Sequence, residues 1–253
     1  MKRRARLISH RARCPDGEFG GGNWAADGGD DVQTARMTHP VWPLFDLVVR
    51  TPRLELHGIT DEVALQLAQL AAEGIHDPAF MPFAIEWTDV PSPQLERNTM
   101  QYYWRCRAEL SPRSWSIDLA VLVDGELVGT TGLIAKGFPT LRTFESGSWL
   151  GRRFQGAGIG TEMRLATLQL GFDGLGAQVA TTTAFGDNEP SLGVTRKLRY
   201  RPQGSTRRLR RGAPAESHLF DMTYEDWAER LRRDDIVIDG IEAARDLLGL
   251  SAG

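Results

Sequence analysis

Three glycines in five residues, Gly156, Gly158 and Gly160, lie between a short strand-like run and a long amphipathic one. The whole stretch, Arg152 to Thr161, reads R-R-F-Q-G-A-G-I-G-T, a Q-x-x-G-x-G pattern. A loop placed there exposes successive backbone N–H groups at the positive end of a helix, which suits an anion such as phosphate. Glycine lets the anion approach the amides closely. Two better-known loops do not fit. A P-loop ends in Gly-Lys-Ser/Thr, whereas Gly160 is followed by Thr161 and Glu162. The dinucleotide fingerprint needs G-x-G-x-x-G, and the glycine spacing here is wrong for it.

The flanks give the loop its setting. Phe144 to Gly151 alternates apolar with small or polar positions, as a strand does. Ile159, Met163, Ala166 and Leu170 then fall on one face of a helix, and Gly171 and Gly174 are stop signals. Val179–Thr183 is rich in β-branched residues and predicts another strand. After it, Asn188 can cap a helix with Pro190 in its first turn.

In this order, strand, Q-x-x-G-x-G, helix, strand, N-x-x-S, helix, the chain resembles the GCN5-related N-acetyltransferase (GNAT) superfamily, most closely its RimJ/RimL-like branch. Three segments carry the resemblance: Phe144–Leu150, Gln155–Gly160 and Asn188–Tyr200. It covers about residues 51–222. It implies a coenzyme A-dependent N-acyltransferase acting by direct transfer in a ternary complex. Acetyl-CoA is the default co-substrate, with succinyl or another acyl-CoA open. The loop Gln155, Gly156, Ala157, Gly158, Ile159, Gly160 and Thr161 would hold the pyrophosphate. The pantetheine arm would lie where the flanking strands splay at a bulge. A strand amide among Trp149, Leu150 and Gly151 would polarise the thioester carbonyl. Asn188 and Lys197 complete the implied cofactor contacts.

Catalysis would rest on Glu145 and Ser191. Glu145 occupies the position where the branch carries a glutamate, and burial would make it a better base. Many superfamily members place a tyrosine seven residues after the asparagine to protonate the leaving thiolate; that position is Thr195 here. Ser191 matches the branch's serine instead, as a hydrogen-bond donor to sulfur. Two further departures stand out. Arg199 replaces a glycine at the helix end, where it would strain a left-handed cap, and Ser148 replaces an aromatic residue before Trp149. A catalytically silent acyl-CoA-binding module is the alternative reading.

Length and composition set outer bounds. The 253 residues can bury a sizeable core, and the net charge of −3 selects neither nucleic acid nor membrane. The expected partner is an amine acceptor: a protein N-terminus, a lysine or a small amine. The oligomeric state, including a homo-oligomer, stays open. Cys14 and Cys106 support no disulfide framework or zinc site, and Cys106 reads as a packed thiol. His57, His76 and His218 have no metal spacing. With no apolar run long enough to span a bilayer, a cytoplasmic location fits best. The basic runs Arg196-Lys197 and Arg207–Arg211 are solvated faces or contacts to a 3′-phosphate, an acidic acyl group or an acidic acceptor.

The fold expected is α+β: a twisted, mostly antiparallel sheet of six to seven strands with helices on both faces. Residues 1–36 read as a disordered tail with no secretory pattern, and Met37 opens a more protein-like run. Residues 37–222 form the acyltransferase domain. Residues 223–253 form a helical extension packed on it.

Overall fold

A computed structural model describes residues 38–250, so the expected N-terminal tail and Cys14 lie outside the described residues. The strands are β1 (Val48–Arg50), β2 (Leu54–Gly58), β3 (Ser114–Val123), β4 (Glu126–Lys136), β5 (Thr143–Leu150), β6 (Val179–Phe185), β7 (Arg201–Arg210), β8 (Ala213–Thr223) and β9 (Val237–Asp239). The helices are α1 (Asp61–Glu73), α2 (Gln94–Ala108), α3 (Phe138–Leu141), α4 (Ile159–Gln169), α5 (Glu189–Lys197), α6 (Tyr224–Arg230) and α7 (Ile241–Leu247).

All nine strands join one sheet in the order β7-β8-β6-β5-β4-β3-β2-β1-β9. Every pairing is antiparallel except β5 with β6. The sheet therefore exceeds the six to seven strands expected. The two unforeseen strands, β1 and β9, are three residues each and pair with one another at one edge. A three-residue strand is too short to display a period of two. β9 also means that the segment after Met222 holds a strand as well as its two helices.

Local chemistry sets the turns and caps. Asp124 and Gly125 both take positive φ (49° and 81°), so the β3–β4 connection is the tight hairpin that an Asp-Gly pair favours. The Thr60 side chain caps α1, Asn188 caps α5, and Thr223 caps α6 by accepting from the Asp226 amide. The stripe Ile159, Met163, Ala166 and Leu170 is buried, pressing α4 onto the sheet. On this side α4 shares one core with Trp227, Ala244 and Leu248 of the C-terminal segment. On the other side α1 and α2 pack over β3 and β4 through Leu67, Tyr103 and Ala120.

The end of α5 carries the strain expected of it. Arg199 sits at φ 57°, with its amide bonded to Arg196 O and the Tyr200 amide to Thr195 O. A side chain costs about 1–2 kcal/mol in this left-handed region, and glycine does not. Arg199→Gly should raise stability by about 1 kcal/mol, seen as a higher denaturation midpoint at unchanged slope. An unchanged midpoint would show that the turn is not strained.

Candidate functional site

The glycine-rich loop follows β5 and opens α4. Gly156 and Gly158 both hold φ near 80°, and Gly158 is the residue from which α4 starts. Both are exposed, and a Cβ at Gly156 would meet nothing within 4 Å. Among the described residues, the amides of Gly156, Ala157, Gly158, Ile159 and Gly160 donate no hydrogen bond; bonding resumes with the Thr161 and Glu162 amides, both to Gly158 O. Five free N–H groups in succession at a helix start form an anion cradle.

Two anchors fix that cradle. The Gln155 side chain donates to Ile75 O (2.7 Å) and Leu150 O (2.9 Å), tying the loop to β5. Gln155 thus shapes the loop from behind. Glu162, in the first turn of α4, accepts from Thr51 Oγ1 (2.6 Å) and Arg53 Nε (2.6 Å). Burial opposes its ionisation, but the Thr51 hydroxyl and the Arg53 guanidinium outweigh that and hold the carboxyl below its ordinary value. Arg53 also reaches Ala157 O (3.4 Å), which brings a positive charge to the loop's rim. Neither Arg53 nor Glu162 was foreseen, because only the fold brings them together.

Next to the loop the sheet opens. β5 pairs with β6 only from Thr143 to Glu145, opposite Val179 to Thr181. Beyond that point the two strands part. The bulge expected there is absent: β5 keeps an unbroken register with β4, and β6 with β8. The parting arises because the β5–β6 ladder stops after three pairs. The Gly151 amide, one of the candidate polarising groups, is committed to Val128 O (2.9 Å). Antiparallel ladders alternate, so the Trp149 amide also faces β4, while those of Ser148 and Leu150 face the gap. Leu150 remains a candidate, and Ser148 joins it.

α5 begins at the far side of this gap. Asn188 Oδ1 accepts from the Ser191 amide (3.3 Å), so Asn188 acts as a helix cap. The Ser191 hydroxyl is half-buried and makes no hydrogen bond among the described residues. Thr195, where a tyrosine would stand, is buried and bonds back to Ser191 O (2.9 Å). Lys197 is exposed and, among the described residues, unpaired.

The opposite face of β5 presents Glu145, Gly147 and Trp149. Glu145 is exposed there, not buried as expected, and accepts from Thr183 Oγ1 (3.3 Å). Trp149 packs at a tilt against Trp87 (5.9 Å between centroids), which meets Phe83, so the loop between α1 and α2 walls one side. Asp118 of β3 lies in register with Gly132 of β4, which lies in register with Gly147. A Cβ at Gly132 would come within 2.5 Å of Asp118 Oδ1, and one at Gly147 would meet nothing within 4 Å. The Asp118 carboxylate thus leans across Gly132 toward open space over β5. Ser116 Oγ (2.9 Å) and Tyr102 OH (3.2 Å) donate to it. Burial pushes the Asp118 carboxyl up to about 6 and the neighbouring Cys106 thiol up to about 11, and keeps the Tyr102 phenol protonated. Asp118 was missed because a single acidic residue in an alternating strand looks solvent-facing.

The second basic run is partly structural. Arg210 pairs with Asp187 (2.8 Å) and lies over the Phe185 ring (4.4 Å), and Arg211 grips Asp89 (2.6 Å). Arg207 and Arg208 stay exposed. No helix among the described residues is long and apolar enough to cross a membrane.

A sheet that parts beside a glycine-rich helix start is the framework of the N-acetyltransferases. The family model described as acetyltransferase (GNAT) domain matches residues 53–201, and the chain belongs to that family. Solved structures repeat the fold. RimL, the ribosomal L7/L12 alpha-N-protein acetyltransferase, in complex with coenzyme A, aligns at TM-score 0.58 and 16% identity over 71% of this chain and 99% of that one. A putative acetyltransferase from T. thermophilus aligns at TM-score 0.57 and 19% identity, over 72% and 92% respectively. A GCN5-related N-acetyltransferase from Brucella melitensis aligns at 0.56 and 18%, over 72% and 80%.

Asp118 gives the site a pH signature. The folded protein holds this proton more tightly than the unfolded chain, whose aspartates titrate near 3.8. Ionising it therefore costs stability, which falls as pH rises from about 4 to about 6. Asp118→Asn should remove that slope and stabilise the protein at pH 7.5 by up to about 3 kcal/mol. A mutant-minus-wild-type difference that does not change with pH would contradict the assignment.

Proposed function

We propose that this protein is a coenzyme A-dependent N-acyltransferase that passes an acyl group directly from acyl-CoA to a primary amine. One observation carries the reading: the amides at the start of α4 are free among the described residues, and a short turn before them β5 exposes further amides where it leaves β6. A diphosphate fits the first set, and an amide-bearing arm fits the second as a strand fits a sheet edge. The residues present suit coenzyme A, since residues 156–158 are exposed and the side chain nearest Gly158 is the cationic Arg53.

In this reading the amine arrives over Gly147, between Asp118 and Glu145, whose negative charge draws an ammonium group. It loses a proton to solvent or to Glu145, and its lone pair attacks the thioester carbon. The Leu150 or Ser148 amide holds the developing oxyanion. The C–N bond forms, the C–S bond breaks, and the thiolate departs with a hydrogen bond from Ser191 and takes up, through solvent, the second proton that the attacking nitrogen sheds.

A protein N-terminus is the favoured acceptor. An α-amine has a pKa of about 7.7–8 and is about a tenth neutral at pH 7, whereas a lysine amine is almost wholly protonated. An exposed carboxylate suffices for the first. The fold likeness to RimL, which acts on the L7/L12 α-amine, agrees with this choice. Thr195 in the tyrosine position favours a catalytically silent acyl-CoA-binding module as the second reading, and release of free coenzyme A thiol in the presence of amine separates the two.

Coenzyme A should raise the melting temperature of the wild type, and Gly158→Asp should abolish the shift, because the added carboxylate meets the diphosphate. A mutant that keeps the full shift would place the cradle elsewhere. Glu145→Gln should lower kcat with little change in coenzyme A affinity. Ser191→Ala should lose a smaller factor, since one hydrogen bond to a leaving group is worth about 1–3 kcal/mol at most. Full activity of both variants from pH 6 to 9 would discard these roles.

A further inference from the structure

The middle of α4 holds a charge without a counter-charge. Arg164 is 6% exposed and points at the sheet, yet no carboxylate pairs with it among the described residues. Its partners are three neutral hydroxyls: Ser146 Oγ (2.8 Å) and Thr182 Oγ1 (3.1 Å) from Nη1, and Ser148 Oγ (3.4 Å) from Nη2. Its Nε has no hydrogen-bond partner among the described residues. A buried guanidinium in this state is costly, and an anion that completes it is bound with corresponding gain.

The location says which anion. The last paired residues of β5 and β6 are Glu145 and Thr181; Ser146 and Thr182 are the first beyond them. Arg164 therefore closes the narrow end of the gap. The hydroxyls are fixed in turn: Ser146 Oγ donates to Thr181 O (3.2 Å) and Thr182 Oγ1 to Ser146 O (3.1 Å), so their lone pairs are left to orient the guanidinium. An acyl-CoA whose carbonyl meets the Leu150 or Ser148 amide points its acyl chain toward this end. From Ser148 to Ser146 two residues of strand span about 7 Å, within reach of a four-carbon chain and beyond an acetyl methyl, whereas Leu150 lies four residues off, about 13 Å, so the fit uses the Ser148 amide. The small side chain of Ser148 leaves the path open.

We propose that Arg164 binds a carboxylate at the far end of the acyl group, so that the donor is a dicarboxylic acyl-CoA of the succinyl class. This rests on the acyltransferase reading above. Arg164 is a specificity residue here, and the transfer chemistry is unchanged: the amine becomes an N-succinyl amide, which exchanges its positive charge for a negative one.

The test compares coenzyme A, butyryl-CoA and succinyl-CoA by calorimetry with the wild type, Arg164→Met and Arg164→Lys, with kcat/KM for the two acyl donors alongside. Butyryl has the same chain length and no carboxylate. The wild type should bind succinyl-CoA about tenfold or more tighter than butyryl-CoA. The preference should vanish in Arg164→Met and return in part in Arg164→Lys, while coenzyme A itself binds all folded forms alike. Equal affinity of the wild type for both acyl donors, with coenzyme A bound, overturns this proposal alone and needs no variant to fold. Failure of coenzyme A to bind overturns the acyltransferase reading and this proposal together.

Discussion

The β5–β6 ladder stops after three residue pairs, and the site exists because it stops there. A continued parallel ladder would satisfy the amides of Ser148 and Leu150 and leave no space between the strands. What ends it is a set of side-chain bonds in place of main-chain ones. Ser146 and Thr182 bond across to the opposing main chain, and Arg164 ties both hydroxyls from below. The outer flanks keep the parted strands in place: β5 holds six register pairs with β4, and β6 holds seven with β8. The gap is therefore a rigid feature of a continuous sheet.

The gap gains its use from what lies at its two ends. At the wide end, Gln155 and the Thr51–Arg53–Glu162 cluster anchor the loop, whose five successive amides are free among the described residues. At the narrow end stands a guanidinium held by hydroxyls, with no carboxylate partner among the described residues. The face of β5 turned away from α4 offers carboxylates, Glu145 and the leaning Asp118, with glycine between them. Positive potential toward the donor and negative toward an amine is the polarity that a transfer between an anionic carrier and a cationic acceptor needs.

Much of this could be read from the residues, and what could not has a physical cause. The helix stripe of α4, the Asp-Gly hairpin and the Asn188 cap are local patterns, and each appears where the spacing puts it. The left-handed Arg199 follows from a missing glycine in the same way. The short strands β1 and β9 carry no periodic signal; β1 forms between β2 and β9, and β9 forms on β1. The exposure of Glu145 depends on what covers that face of the sheet, which strand alternation does not reveal. Arg164 sits one residue beyond the stripe's Met163 and looks like an ordinary polar position on α4; its burial needs the fork above it. Asp118 becomes notable only once Gly132 and Gly147 are known to share its row.

Hydrogen exchange, followed residue by residue with and without coenzyme A, addresses the central claim most directly. If the two sets of free amides together receive the cofactor, the amides of residues 156–160 and those of Ser148 and Leu150 should all slow markedly on binding, while Trp149 and Gly151, already in the β4 ladder, should change little. Protection confined to other parts of the sheet, with residues 156–160 exchanging as fast as in the free protein, would contradict the account.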